Sequence, residues 1–406
     1  MKLPASAVFG IFASPPSRGN EQAFPSEPRL CRELLSASIA MGMQAYVFTA
    51  ADYNPRTQTL FGSRYADGAW ERQPVPLPDV VYDRSFCRSA EERRSAAITL
   101  ARMGEQRRFQ FLNGKLPGKL TIYQALLEDD ALAPYLPRTT PYTADALRNR
   151  LPERKSGLVL KPAAGMQGRG LVHISLAALS GELLARGRTG SNRRFSRSFA
   201  EITELSGWLK PFMRGSAFLI QPYLVLRDIE NRPFDIRVLL QKDGSGAWKL
   251  TGMAARRGES GSLTSNLHGG GAAISAGRLL ETNFGKPEAE RLYRKIHTIC
   301  GHTAKRLEDS FGRFGELAFD FGIEPSGKLW LLEANSKPGR DAFRQIGDDS
   351  AMKLSIERPL RYASYLTNRA APTFVSAESA YDLVQPQRSI AIAARLRSSN
   401  VQEVHR

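Results

Sequence analysis

The chain has 406 residues, 42% hydrophobic and 24% charged, which excludes a disordered or fibrous protein and allows two or three cored domains. Its 57 lysines and arginines against 40 acidic residues leave +17, a field that favours anionic partners such as nucleotides, carboxylates or phosphates. No apolar run reaches the ~18 residues that cross a bilayer. The opening MKLPASAVFGIF is too weakly apolar for a signal peptide, and Cys31, Cys87 and Cys300 are odd in number and far apart, so the reading is cytoplasmic.

In chain order, strand-like Val8–Phe12, a helix over about 29–41 and strand-like Gln44–Phe48 come first. Strand-like Val80–Tyr82 follows the proline-rich QPVPLPD, and a charged helical stretch covers 91–104. This alternation predicts a parallel, three-layer α/β domain that ends near the turn-rich NGKLPG at 113–118. A helix over Leu120–Leu132 is then broken by PRTTP at 137–141. Strands are expected at Leu158–Lys161, Leu171–Ile174, Phe218–Gln221, Ile236–Gln241, Trp248–Ala254, Leu317–Ile323 and Leu329–Ala334. Short glycine turns join several of them, and a helix is inserted near 286–311, so about 116–350 reads as mostly antiparallel α+β. Residues 183–200, LLARGRTGSNRRFSRSFA, hold five arginines and no acid, and read as a loop that is either solvated or binds an anion or partner. The tail from about 368 has no packing pattern and is expected to be partly disordered. No RNP-like aromatic pair, zinc-finger spacing or basic helix leading into heptads is present, so no specific nucleic-acid partner is expected.

The stretch LVLKPAAGMQGRGLVHI (158–174) is a candidate phosphate loop. A Walker loop places its lysine after the glycines, whereas Lys161 precedes them; a dinucleotide fingerprint opens a helix, whereas strand-like residues follow here. The segment is therefore a strand–loop–strand flap. Gly165, Gly168 and Gly170 would let N–H groups close over phosphates, with Lys161 as a point charge. A hairpin without a ligand fits that segment equally well.

The second stretch is FGELAFDFGIEPSGKLWLLEAN (314–335). A hairpin closed on Ser326 and Gly327 sets Asp320 opposite Glu333, with Asn335 on the same face. Opposed carboxylates among apolar residues should destabilise the pairing. A divalent cation would remove the conflict, and oxygen ligands beside an amide suit Mg²⁺ held with substrate phosphates. The alternatives are a solvated face, or a register shifted by one through a three-residue turn. Asp320-Phe-Gly mimics a kinase metal motif, but no kinase catalytic loop precedes it. Arg237, inside an apolar strand, needs a partner, either a carboxylate such as Asp235 or Asp320 or a transferred phosphoryl group. His268, in TSNLHGGG (264–271), points to no role by itself.

Together these segments resemble the ATP-grasp superfamily, and more closely its YheC/YheD branch of spore-coat-associated proteins. Also matching are PDVVYDR (78–84), FLNG (111–114), LPRT (136–139), IQPY (220–223), PFDIRVL (233–239) and LLEANSKPGR (331–340). The resemblance implies an α/β pre-ATP-grasp-like domain over 1–115, then an α+β ATP-grasp fold with largely antiparallel sheets. Its central lobe with the glycine flap would cover 116–225, its C-terminal lobe 226–367 and a tail 368–406. It further implies ATP and Mg²⁺ as cofactors. Lys119, Lys161, Gly165, Gln167, Gly168 and Gly170 would contact phosphates, Gln221 and Tyr223 the base, and Asp228 the ribose, where the family more often has Glu. Asp320, Glu333 and Asn335 would hold magnesium, and Arg237 and Asn266 would act at the transferring group. The implied activity is carboxylate–amine ligation through an acyl-phosphate, the partners being a small-molecule or peptide carboxylate and an amine nucleophile. A non-catalytic coat or scaffold protein and an ATP-grasp kinase are the alternatives, and spore-coat association follows if the source forms spores.

Overall fold

A computed structural model describes residues 7–15, 25, 27–87, 89–153, 155–165, 168–177, 181–265 and 270–368. The chain divides into two compact units, one holding the described residues before Asn113 together with those from Pro359 onward, the other Asn113–Arg358.

The first unit contains β1 (Val8–Ala13), α1 (Pro28–Ala40), β2 (Gln44–Phe48), β3 (Tyr53–Asn54), β4 (Thr59–Ala66), β5 (Ala69–Val75), β6 (Val80–Arg84), α2 (Ala90–Gln106) and β7 (Gln110–Phe111). Strands β2, β1, β6 and β7 run parallel, as the strand–helix alternation requires. The sheet is not parallel throughout: β4 pairs antiparallel with β2, β3 and β5, which brings it to seven strands. Thr59–Val75 gave no strand signal because its apolar residues are interrupted by charge on an outward face, and β5 is largely exposed.

The second unit contains α3 (Lys119–Leu127), β8 (Thr140–Pro141), α4 (Ala144–Arg150), β9 (Leu158–Pro162), β10 (Val172–Leu176), β11 (Leu183–Arg188), β12 (Arg194–Phe199), α5 (Ile202–Met213) and β13 (Phe218–Pro222). It continues with β14 (Phe234–Lys242), β15 (Trp248–Arg257), β16 (Ala272–Ser275), α6 (Ala276–Phe284), α7 (Lys286–Phe311), β17 (Glu316–Ile323), β18 (Leu329–Asn335) and α8 (Asp341–Gln345). Helix α9 (Asp349–Asn368) runs out of this unit into the first. A six-stranded sheet has the order β12-β11-β10-β9-β13-β8 and a five-stranded sheet the order β16-β15-β14-β17-β18. Every pairing in both is antiparallel.

Two sequence readings change here. The arginine-rich segment is no loop but the hairpin β11–β12. Leu183, Ala185 and Phe199 are buried against α5, but Ala185, Gly187 and Arg197 on that same side leave the apolar period weak. Helix α3 stops at Leu127, and Leu132 and Leu136 enter the main core from a looser segment. The tail beyond Asn368 lies outside the described residues.

The five-stranded sheet owes its two faces to strand alternation. Phe234, Ile236, Val238 and Leu240 of β14, with Leu317, Phe319, Phe321 and Ile323 of β17, pack on α6 and α7. Helix α7 presents Ala289, Leu292, Ile296, Ile299, Cys300, Thr303, Ala304 and Leu307 at helical spacing, with glycines at both ends and Pro287 in its first turn. On the opposite face, Leu239, Ala254 and Ala318 are covered by Ala342 and Phe343 of α8 and Ala351 of α9. The rest of that face carries charge.

Candidate active site

Register decides which charges meet. On β14, Asp235 lies opposite Arg256 of β15, and Arg237 lies opposite Asp320 of β17. Asp320 in turn lies opposite Glu333 of β18. The turn between β17 and β18 is a three-residue one, with Glu324 and Lys328 joined by a backbone bond, and this shifts the register by one at the tip. A β-bulge between Asp320 and Phe321 restores it, so the carboxylates still face each other. A second bulge, at Leu239/Leu240 of β14, aligns Asp235 with Arg256.

The opposed carboxylates do not depend on a metal ion for their pairing. Arg237 forks onto Asp320, its Nε donating to Oδ1 at 2.5 Å and its Nη2 to Oδ2 at 3.0 Å. Arg256 bridges Asp320 at 2.9 Å and Asp235 at 2.6 Å, and the Ser265 hydroxyl donates to Asp235. Burial alone would raise the Asp320 pKa; Arg237 and Arg256 overcome it and hold the carboxyl at about 2. Asp235 is pushed the other way, because burial outweighs Arg256 and Asp320 repels it. Glu333, half-buried, is paired with Lys119 at 3.3 Å.

Lys119 opens α3, and Lys161 leaves β9 just before the glycine flap. Lys161 feels both Lys119 and Glu333. Burial, then Lys119, lowers its ammonium to about 8, with Glu333 pulling back. Four distant parts of the chain thus converge on one charged face.

The flap is the expected strand–loop–strand hairpin, with Val172 opposite Leu160 and Ile174 opposite Leu158. Gly168 and Gly170 have φ of 68° and 73°, and a Cβ on Gly170 would sit 2.9 Å from Pro162. Gln167, Asn266 and His268 lie outside the described residues. Gln221 lies opposite Val159, and its amide donates to Thr139. The Tyr223 ring stacks on His173 with centroids 4.0 Å apart. Burial lowers the His173 pKa, with Arg186 and Arg227 adding to the effect and the Ser156 carbonyl opposing it.

Asp228 is different. Its Oδ1 accepts from the backbone of Glu230 and Arg232, while Oδ2 accepts from Arg257 at 2.5 Å, and the side chain is wholly enclosed. It organises a turn instead of presenting a free carboxylate. Asn335 is half-buried, and its Nδ2 is enclosed with no hydrogen-bond partner among the described residues.

Two residues here had no role in the sequence reading. Arg256 was visible only as one of a basic pair; the bulge that aligns it with Asp235 has no sequence signal. Asn113 lay in the FLNG segment. Its Oδ1 accepts from Gly315 and Glu316 and its Nδ2 donates to Ser336, tying the start of β17 to the end of β18.

The family model for YheC/D-like ATP-grasp proteins matches residues 108–366. The chain belongs to that family. Two relatives in Bacillus subtilis (strain 168) are similar to this ATP-grasp protein. The endospore coat-associated protein YheD is 29% identical over 89% of this chain and 79% of its own length. The endospore coat-associated protein YheC is 27% identical over 82% of this chain and 91% of its own. Among solved structures, D-cycloserine synthetase DcsG aligns with a TM-score of 0.48 at 14% identity, over 89% of this chain and 99% of that one. The D-alanine-D-alanine ligase from Coxiella burnetii aligns at 0.46 and 12%, over 89% and 98%. Likeness at that level transfers neither substrate nor role. No helix among the described residues is long and apolar enough to cross a membrane.

Proposed function

We propose that this ATP-grasp protein is an ATP- and Mg²⁺-dependent ligase that joins a carboxylate to an amine through an acyl-phosphate. The observation that supports it most is the convergence of Lys119, Lys161 and Glu333 beside the Arg237–Asp320–Arg256 network. Asp235, Asp320 and Glu333 are outnumbered there by Arg237, Arg256, Lys119 and Lys161, so the site as it stands attracts a polyphosphate, not a bare cation. A cation fits together with the phosphates. Glu333, half-buried, and the amide oxygen of Asn335 would hold Mg²⁺ alongside Asp320, while the enclosed Asn335 Nδ2 is a donor that suits a phosphate oxygen. When bound, the ion would neutralise phosphate oxygens.

In this reading Lys119 and Lys161 hold the phosphates, and the flap around Gly165, Gln167, Gly168 and Gly170 closes over them. Gln221 and Tyr223 border the base. Asp228 supports the fold and is not assigned to the ribose. Arg237 and Asn266 stabilise the transferring group. The substrate carboxylate oxygen bonds to the γ-phosphorus as the bond to ADP breaks. The amine nitrogen then bonds to the acyl carbon, loses its proton and expels phosphate. A closed flap keeps water from the acyl-phosphate.

The test is ADP release by the full chain with pools of acids and amines. Release that needs both an acid and an amine supports the ligase. Release with a hydroxyl compound and no amine would replace it with a kinase; ATP binding without release under any pairing would leave a nucleotide-binding protein. The two relatives are described as coat-associated, and we read such an association as a place of action for the chemistry.

A further inference from the structure

We propose that β11 and β12 form a docking strip for an extended acidic peptide, which makes the carboxylate substrate a peptide or polymer rich in Glu or Asp. This deepens the ligase reading and rests on it.

Strand register puts the strip on the site side of the six-stranded sheet. Val159 and Lys161 share a face of β9, Val159 lies opposite His173, and His173 lies opposite Arg186 of β11. Arg188 shares that face and lies opposite Arg194 of β12, with Ser196 opposite Arg186. Lys161, His173, Arg186, Arg188 and Arg194 therefore lie on one side. That side turns toward the five-stranded sheet, because Arg194 pairs with Glu259, two residues beyond the end of β15. The opposite side packs on α5 through Phe195, Phe199 and Trp208.

Arg186 is exposed and forms no ion pair among the described residues. Residues 183–200 include no acid; the strip's neighbouring carboxylates are Glu182, just before β11, and Glu259, which pairs with Arg194. Strand β12 ends its sheet, so among the described residues its outer edge pairs with no strand and could take an added one. Arginines along an edge repel a second copy of themselves, while the same charge admits an acidic strand. From β9 to β11 is two strand spacings, about 10 Å, which about three extended residues cross. A single-stranded nucleic acid would want aromatic platforms, whereas Phe195 and Phe199 on these strands face α5.

The experiment titrates full-length wild type, Arg186→Glu and Arg197→Glu with fluorescein-labelled hexaglutamate, hexaglutamine and hexauridylate. Arg197 lies on the same hairpin but on the other side, over Trp208, so the two variants change net charge equally. The expected result is hexaglutamate binding that weakens about tenfold or more in Arg186→Glu and less than about threefold in Arg197→Glu, with no hexaglutamine binding. No hexaglutamate binding by wild type, equal loss in both variants, or tighter hexauridylate binding with the same Arg186 dependence would overturn it. Arg186→Gln preserves the comparison if charge reversal unfolds the hairpin. ATP is titrated into the same samples. Lost ATP binding with peptide binding intact would remove the ligase and keep the strip; the reverse would remove only the strip.

Discussion

Lys161 holds a partly enclosed ammonium beside a second lysine, and its pKa falls to about 8. The unfolded chain, with an ordinary lysine near 10.5, binds more protons between those values, so this group adds stability as pH rises from 8 to 10.5. Below pH 8 the charged form is costly, by about 1–3 kcal/mol once its partial exposure is allowed for. Lys161→Met should therefore stabilise the nucleotide-free protein near pH 7 by that amount in urea melts. The advantage should shrink as pH rises through 8 to 10.5, while calorimetry shows ATP affinity falling about 100-fold. Unchanged stability across that range would mean the ammonium is well solvated. Arg256 makes the opposite case. Replacing it with Leu leaves Asp235 and Asp320 short of a shared buried partner, and should destabilise the protein by about 3–5 kcal/mol. A loss under about 1 kcal/mol would show that solvent reaches these carboxylates.

At the scale of elements, the site is made by two bulges. Without the Asp320/Phe321 bulge, the three-residue turn would set Glu333 out of step with Asp320; without the one at Leu239/Leu240, Arg256 would face away from Asp235. Gly252 adjoins the second bulge, and a Cβ there would meet Ala351 at 2.7 Å and Phe343 at 2.9 Å. Gly252→Ala should push α8 and α9 off the sheet and cost about 1–3 kcal/mol, read from thermal and urea melts. A neutral result would show that the helices yield freely. These devices also mark the limit of what was legible. The strands of β9, β10, β13, β14, β15, β17 and β18 and the whole of α7 could be read, because burial imposes alternation or a helical stripe on their residues. Asp320 and Glu333 stand opposed as expected only because an unseen bulge cancels the three-residue turn that the sequence offered as an alternative. The β11–β12 hairpin was hidden because Ala185, Gly187 and Arg197 dilute its buried side, and the turn built on Asp228 because its partners are two nearby backbone amides and the distant Arg257. Arg256 and Asn113 were present as letters, but their partners lie across strands whose register the letters do not encode.

For the whole molecule, the net +17 bears on function only where structure concentrates it. In the second unit it gathers on facing sheets, as four cations against three carboxylates around Asp320 and as the arginines of β11 and β12. Bound phosphate would relieve Lys161 and Lys119 of each other, so nucleotide binding should also raise the melting temperature. The family membership and the convergence of charged groups make one central claim, a phosphate site completed by a cation at Glu333 and Asn335. Calorimetry of ATP with and without Mg²⁺, on wild type and on Glu333→Ala/Asn335→Ala, tests it most directly. The expected result is tight binding by wild type only with Mg²⁺, and in the double variant an affinity that Mg²⁺ no longer improves. No ATP binding by wild type under either condition, or a magnesium effect that survives the double substitution, would contradict it.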